Sequence, residues 1–86
     1  MEKFPISEMD SIFQAVKDME SKIEIKKNED SIKLKKGSKQ FEVNRTGEVK
    51  GSMPLHSFEN HDVDNIEIGD NEIKVNFEKG TYIFKI

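Results

Sequence analysis

The sequence predicts an α+β domain in which one N-terminal helix packs on an antiparallel meander of six to seven short strands, forming two sheets or a partly open roll. Three observations carry that expectation. Apolar residues between Met9 and Met19 recur at spacings of three and four, the period of one helix face. From Ile23 onward apolar and polar residues alternate, the period of a strand with one buried and one wet face. The alternating runs are separated by Asn, Asp and Gly, which turns favour.

The helix is expected over residues 8–21. Met9, Ile12, Phe13, Val16 and Met19 form its apolar stripe, and Gln14, Lys17 and Asp18 its polar side. Ser7 is the expected N-cap, with Asp10 three residues later at the reciprocal position of a capping box. Glu8 and Asp10 place negative charge at the positive end of the helix dipole.

Strands follow in order. Ile23 and Ile25 alternate with Glu24 and Lys26; Ile32 and Leu34 with Lys33 and Lys35; Phe41 and Val43 with Gln40 and Glu42. Val49, Gly51 and Met53 share a parity in a fourth strand that Pro54 ends or confines to an edge. Residues 56–64 are expected to form the longest loop. Ile66 and Ile68, then Ile73, Val75 and Phe77, then Tyr82, Phe84 and Ile86 complete the pattern. The chain thus divides into two three-strand units, 22–43 and 65–86, joined by a strand and a loop. Ile23-Glu24-Ile25 matches Ile66-Glu67-Ile68, and Gly37 to Val43 matches Gly80 to Ile86, both at a separation of 43 residues. Between these anchors Ile32 and Leu34 align with Ile73 and Val75, an even slip that keeps each side chain on its face. Two meanders would match in this way with or without a duplication.

A chain of 86 residues is long enough for one domain. It has no cysteine, which excludes disulfides, thiolate catalysis and thiolate zinc sites. No apolar run approaches the length of a membrane-spanning helix, and Met1 to Asp10 lack the basic and apolar regions of a signal peptide. The expectation is a soluble, cytoplasmic protein with no membrane association. Charge is unevenly spread: two cations against five acids in residues 1–21, nine against five in 22–50, and three against seven in 51–86.

Four features could carry function. Lys26, Lys33, Lys35, Lys39 and Arg45 fall largely on the wet side of the first strands, and a basic sheet face can track phosphates. Nucleic acid is disfavoured because the nearest aromatic, Phe41, alternates inward, leaving no base-stacking platform. Asp62, Asp64 and Asp70 supply the oxygen ligands that a weak Ca2+ site would use, without the spacing of an EF-hand. His56 and His61 have no ligand-pair spacing and no third partner for zinc, and Ser52, Ser57 and Thr46 have no evident general base, so no enzyme activity is expected. Phe58 in the long loop and Ile83 on the opposite face of the last strand are candidate partner contacts.

Rich in Ile, Lys and Glu, without cysteine, and ordered as one helix before two strand sets, the chain resembles small uncharacterised α+β proteins of methanogenic archaea. That resemblance implies a helix packed against two antiparallel sheets and weak calcium binding by surface carboxylates. The residues themselves point to a non-catalytic binding or interaction module, using an unknown protein partner or self-association through the last strand or the Phe58 segment. Weak calcium binding and nucleic-acid binding through the basic face are the alternatives, and no cofactor beyond weakly held Ca2+ is expected.

Overall fold

The computed structural model describes residues 2–19, 23–53 and 56–85. Their elements, in chain order, are β1 (Glu2–Pro5), α1 (Met9–Lys17), β2 (Glu24–Lys27), β3 (Ser31–Lys36), β4 (Lys39–Asn44), β5 (Val49–Met53), β6 (His56–Asn60), β7 (Val63–Ile68), β8 (Glu72–Phe77) and β9 (Gly80–Lys85). The fold is α+β, with one helix and two antiparallel sheets. One sheet has the order β2-β3-β4-β5-β6, the other β1-β7-β8-β9. The strand count exceeds the expected six to seven, because β1 and β6 escape the alternation pattern.

β1 pairs antiparallel with β7, Phe4 lying opposite Ile66 and Pro5 opposite Asn65. It is an edge strand, where a proline is tolerated because one side of the ladder is unused. β6 occupies most of the expected 56–64 loop and pairs with β5, Phe58 opposite Gly51 and Ser57 opposite Ser52. Only one of its residues, Phe58, is apolar.

The helix is shorter than expected, ending at Lys17; positions 20 and 21 lie outside the described residues. The expected Ser7 cap does not form. Glu8 occupies the N-cap position with no side-chain cap hydrogen bond. The physical reason is the link to β1: the Glu8 amide donates to the Pro5 carbonyl at 3.0 Å, closing a turn through Ile6 and Ser7 before the helix starts. Met9, Ile12 and Val16 are buried as the spacing required, with Met19 buried just beyond. Lys27 of β2 reaches Asp10 at 3.3 Å and lies 5.7 Å from the Phe13 ring centre, pinning the sheet edge to the helix. This exposed ion pair is worth at most about 1 kcal/mol, so burial of the stripe dominates.

The inward faces of both sheets and the helix stripe share one core. Ile32, Leu34, Phe41, Val43 and Val49 come from the first sheet, and Val63, Ile66, Ile68, Ile73, Val75 and Phe84 from the second. The cross-strand trio Ile25–Leu34–Phe41 over β2-β3-β4 is matched by Ile68–Ile73–Phe84 over β7-β8-β9. The flanking positions of these trios are 43 residues apart, as the sequence repeat has them. The central strand is displaced further than the sequence match implies, Leu34 standing where Ile73 does rather than Val75. Phe41 and Phe84, the matched positions, meet with ring centres 4.9 Å apart. Beside them Phe58 stacks on Tyr82, centres 4.2 Å apart and planes within 6°, and Phe77 closes on Phe58 at 5.7 Å. Burial pushes the Tyr82 hydroxyl above its ordinary pKa.

Two glycines lie at close approaches in this packing. A Cβ on Gly51 would stand 3.5 Å from both Phe84 and Tyr82 and 3.6 Å from Phe41, ordinary contact distances that leave room for a methyl but not for a larger side chain. Gly47 adopts φ +100°, a left-handed conformation that side chains disfavour, and a Cβ there would lie 3.3 Å from the His61 carbonyl. Its carbonyl accepts from the Val63 amide at 3.0 Å, tying the β4–β5 turn to the start of the second sheet.

The outward face of the second sheet is held by a polar ladder. Asn76 Nδ2 donates to Asn65 Oδ1 at 2.8 Å and to Glu67 Oε2 at 2.9 Å, while Thr81 Oγ1 donates to Asn76 Oδ1 at 3.1 Å. The Asn76 hydrogen bond lowers the Glu67 pKa, with Lys74 and Lys3 acting in the same direction.

Two predictions follow from these contacts. Gly51→Ala is expected to leave stability nearly unchanged in a denaturant titration, since its methyl meets only ordinary contacts. Gly51→Val, whose branches must displace the aromatic rings, is expected to cost about 1–3 kcal/mol. Asn76→Ala is expected to raise the Glu67 pKa, read by carboxyl NMR titration. Because the folded pKa is depressed, the part of the Asn76→Ala destabilisation that runs through Glu67 is present at neutral pH. It disappears as pH falls through the Glu67 pKa.

Candidate functional site

Burying one parity of β2 to β6 forces the other parity outward, and the outward side chains of all five strands line a groove of about 520 Å³. The ladder register sorts them into two rows. One runs Lys26, Lys33, Glu42, Lys50, Glu59 from β2 to β6. The other runs Glu24, Lys35, Gln40, Ser52, Ser57. Four strand spacings make the groove about 19 Å across, the length of about six residues of extended chain.

The two ends differ electrostatically. At the β5–β6 end charges are compensated: Lys50 Nζ lies 3.5 Å from Glu48 Oε1 and 3.9 Å from Glu59 Oε2. His61 Nδ1 stands 2.8 Å from Glu48 Oε2 and its Nε2 3.2 Å from Glu59 Oε1. Only the imidazolium can donate to both carboxylates. At the β2–β3 end three lysines stand with one acid, Glu24, which lies opposite Lys35. Lys26 lies directly opposite Lys33, a like-charge pairing that costs free energy in a ladder. Lys33 has Glu42 3.8 Å away, whereas Lys26 and Lys35 show no ion pair among the described residues.

Of the residues singled out in the sequence, Lys26, Lys33 and Lys35 therefore share this face. Lys39 and Arg45 do not. Lys39 has the parity of Phe41, and its Nζ donates to the Lys85 carbonyl of the second sheet at 3.1 Å. Arg45 lies in the β4–β5 turn, its amide donating to the Asp30 carbonyl at 2.7 Å. Lys50, which the sequence places at the flank of the basic segment, belongs to the face, as do Glu42 and Glu59, which were not among the sequence candidates; β6 was not legible enough to place Glu59.

The three candidate calcium ligands are not brought together. Asp62 and Asp70 lie beyond opposite ends of β7, and its six residues hold them roughly 20 Å or more apart. The Asp62 amide donates to Asn60 Oδ1 at 2.8 Å, an Asx turn, and Asp64 sits within β7. No cluster of three or more His, Cys, Asp or Glu suited to a metal occurs among the described residues.

The expectation that Phe58 is a surface contact is corrected: β6 turns it inward, where it is half-buried against Tyr82 and Phe77. Ile83 is placed as expected, on the outward face of β9, and is the large apolar residue left exposed among those described, at 42%. The His56 side chain lies outside the described residues, so the two histidines define no joint site. No helix among the described residues is long and apolar enough to cross a membrane. Comparison with protein-family models, with curated proteins and with solved structures finds no match to this chain.

Proposed function

We propose that the protein is a non-catalytic binding module whose five-stranded sheet receives an extended, acidic polypeptide segment across its outward face. The observation that carries this reading is the cationic end of the groove, where Lys26 and Lys33 face each other and Lys35 lies beside them. A carboxylate seated between these lysines would relieve the repulsion that the bare ladder sustains.

The rest of the groove favours a polypeptide over a nucleic acid. Glu24, Glu42 and Glu59 line it together with the lysines, and they would repel an evenly charged phosphate chain. The aromatic rings of the first sheet, Phe41 and Phe58, pack inward against the second sheet and offer no stacking surface to bases. Gln40, Ser52 and Ser57 can donate to and accept from the backbone of a bound segment.

The test is an amide-resolved NMR titration of the 15N-labelled chain with a six-residue peptide carrying two adjacent Glu among Ser and Gln residues at low salt, with an oligothymidylate of similar length in parallel. The peptide is expected to shift Lys26, Lys33 and Lys35, and Lys33→Glu with Lys35→Glu to weaken its binding by about tenfold or more, the loss of two surface ion pairs of up to ~1 kcal/mol each. Tighter binding of the oligonucleotide, or shifts unaffected by the charge reversals, would overturn the assignment.

A further inference from the structure

Among the described residues the two sheets have four edge strands: β2 and β6 in one, β1 and β9 in the other. Three of them carry features that discourage pairing with another chain. β1 is four residues long and ends in Pro5. β2 is also four residues long and consists of Glu24, Ile25, Lys26 and Lys27. β6 carries Glu59 within the charge cluster of Lys50, Glu48 and His61.

β9 is neither short nor proline-bearing, and a lysine meets its backbone at the Lys85 end, where Lys39 Nζ donates to the Lys85 carbonyl at 3.1 Å. The strand is six residues long, Gly80–Lys85, and pairs residue for residue with β8 without a register shift. Its charge is confined to Lys85, and its outward face presents Ile83 between Thr81 and Lys85. Ile83 continues a cross-strand row of Lys3, Glu67 and Lys74, so the apolar residue stands at the outer end of an otherwise charged row.

We propose that β9 is a self-association edge, pairing antiparallel with β9 of a second copy about a two-fold axis at Ile83. The register is self-complementary. Ile83 falls opposite Ile83, and Thr81 of each copy falls opposite Lys85 of the other, so no like charges oppose. The exposed isoleucine is then covered by its own symmetry mate. The two four-stranded sheets become one eight-stranded sheet. A single strand pair buries less than the roughly 1,200 Å² of a stable assembly, so the dimer is concentration-dependent.

Sedimentation of the intact chain between about 1 μM and about 1 mM is expected to show a monomer passing into a dimer. Ile83→Lys, at an exposed position, is expected to keep the thermal melt of the monomer and abolish the dimer by placing two ammonium groups on the axis. The chain has no cysteine, so a single introduced thiol reports the register without interference. Ile83→Cys is expected to oxidise to a covalent dimer, and Thr81→Cys, whose counterpart is displaced by about 13 Å along the strand, is not. A monomer throughout the range, an unchanged dimer in Ile83→Lys, or equal cross-linking of the two cysteine variants would overturn the proposal.

Discussion

The contact on which the structure depends is the aromatic seam between the two sheets, where Phe41 meets Phe84 and Phe58 stacks on Tyr82. The seam passes over Gly51 in β5, where Phe84 and Tyr82 from the second sheet lie close to the backbone, with Phe41 alongside. The seam explains why the aromatics of the first sheet, Phe41 and Phe58, face inward: each has a ring from the other sheet to meet. The helix then closes the side that the aromatics do not reach, with Ile12 and Val16 at the floor and Lys27 folded over Phe13.

That inward commitment creates the outer groove. Parity in a strand is strict, so once Leu34, Phe41 and Val49 are buried, Lys33, Lys35, Glu42 and Lys50 must stand outside. Along β4 and β5 these charges compensate across the ladder, as Glu42 and Lys50 show. Along β2 and β3 Glu24 faces Lys35, but Lys26 meets Lys33.

Much of the fold was legible because period-2 alternation survives wherever a strand has two or more inward apolar residues, as in Ile32–Leu34, Phe41–Val43 and Ile73–Val75. It failed where a strand contributes one. Phe4 alone marks β1 and Phe58 alone marks β6, and both strands form only because a partner distant in sequence or an adjacent hairpin supplies their ladders. The same failure hid one of the groove's five strands, since Glu59 and Ser57 reach it only through β6. Lys39 and Arg45 were misplaced for a different reason. Net charge marks a basic segment, but which face a lysine takes depends on parity relative to Phe41 and on where the turn begins, and the former was present in the sequence.

The groove and the β9 edge lie on different sheets, and this separation has a consequence for how one chain could serve both. None of the groove-lining residues belongs to β9, so pairing at that edge leaves each groove open. A dimer would then present two identical cationic ends related by a two-fold axis, and a partner carrying two acidic segments would gain from occupying both without any new contact in either. The matched trios of the two meanders suggest why such a division is feasible: Phe41 and Phe84 hold corresponding places and face each other in the core. Equivalent inward faces thus leave the two outward faces to differ, one carrying a groove of mixed charge and the other a hydrogen-bonded Asn–Glu ladder that ends at Ile83.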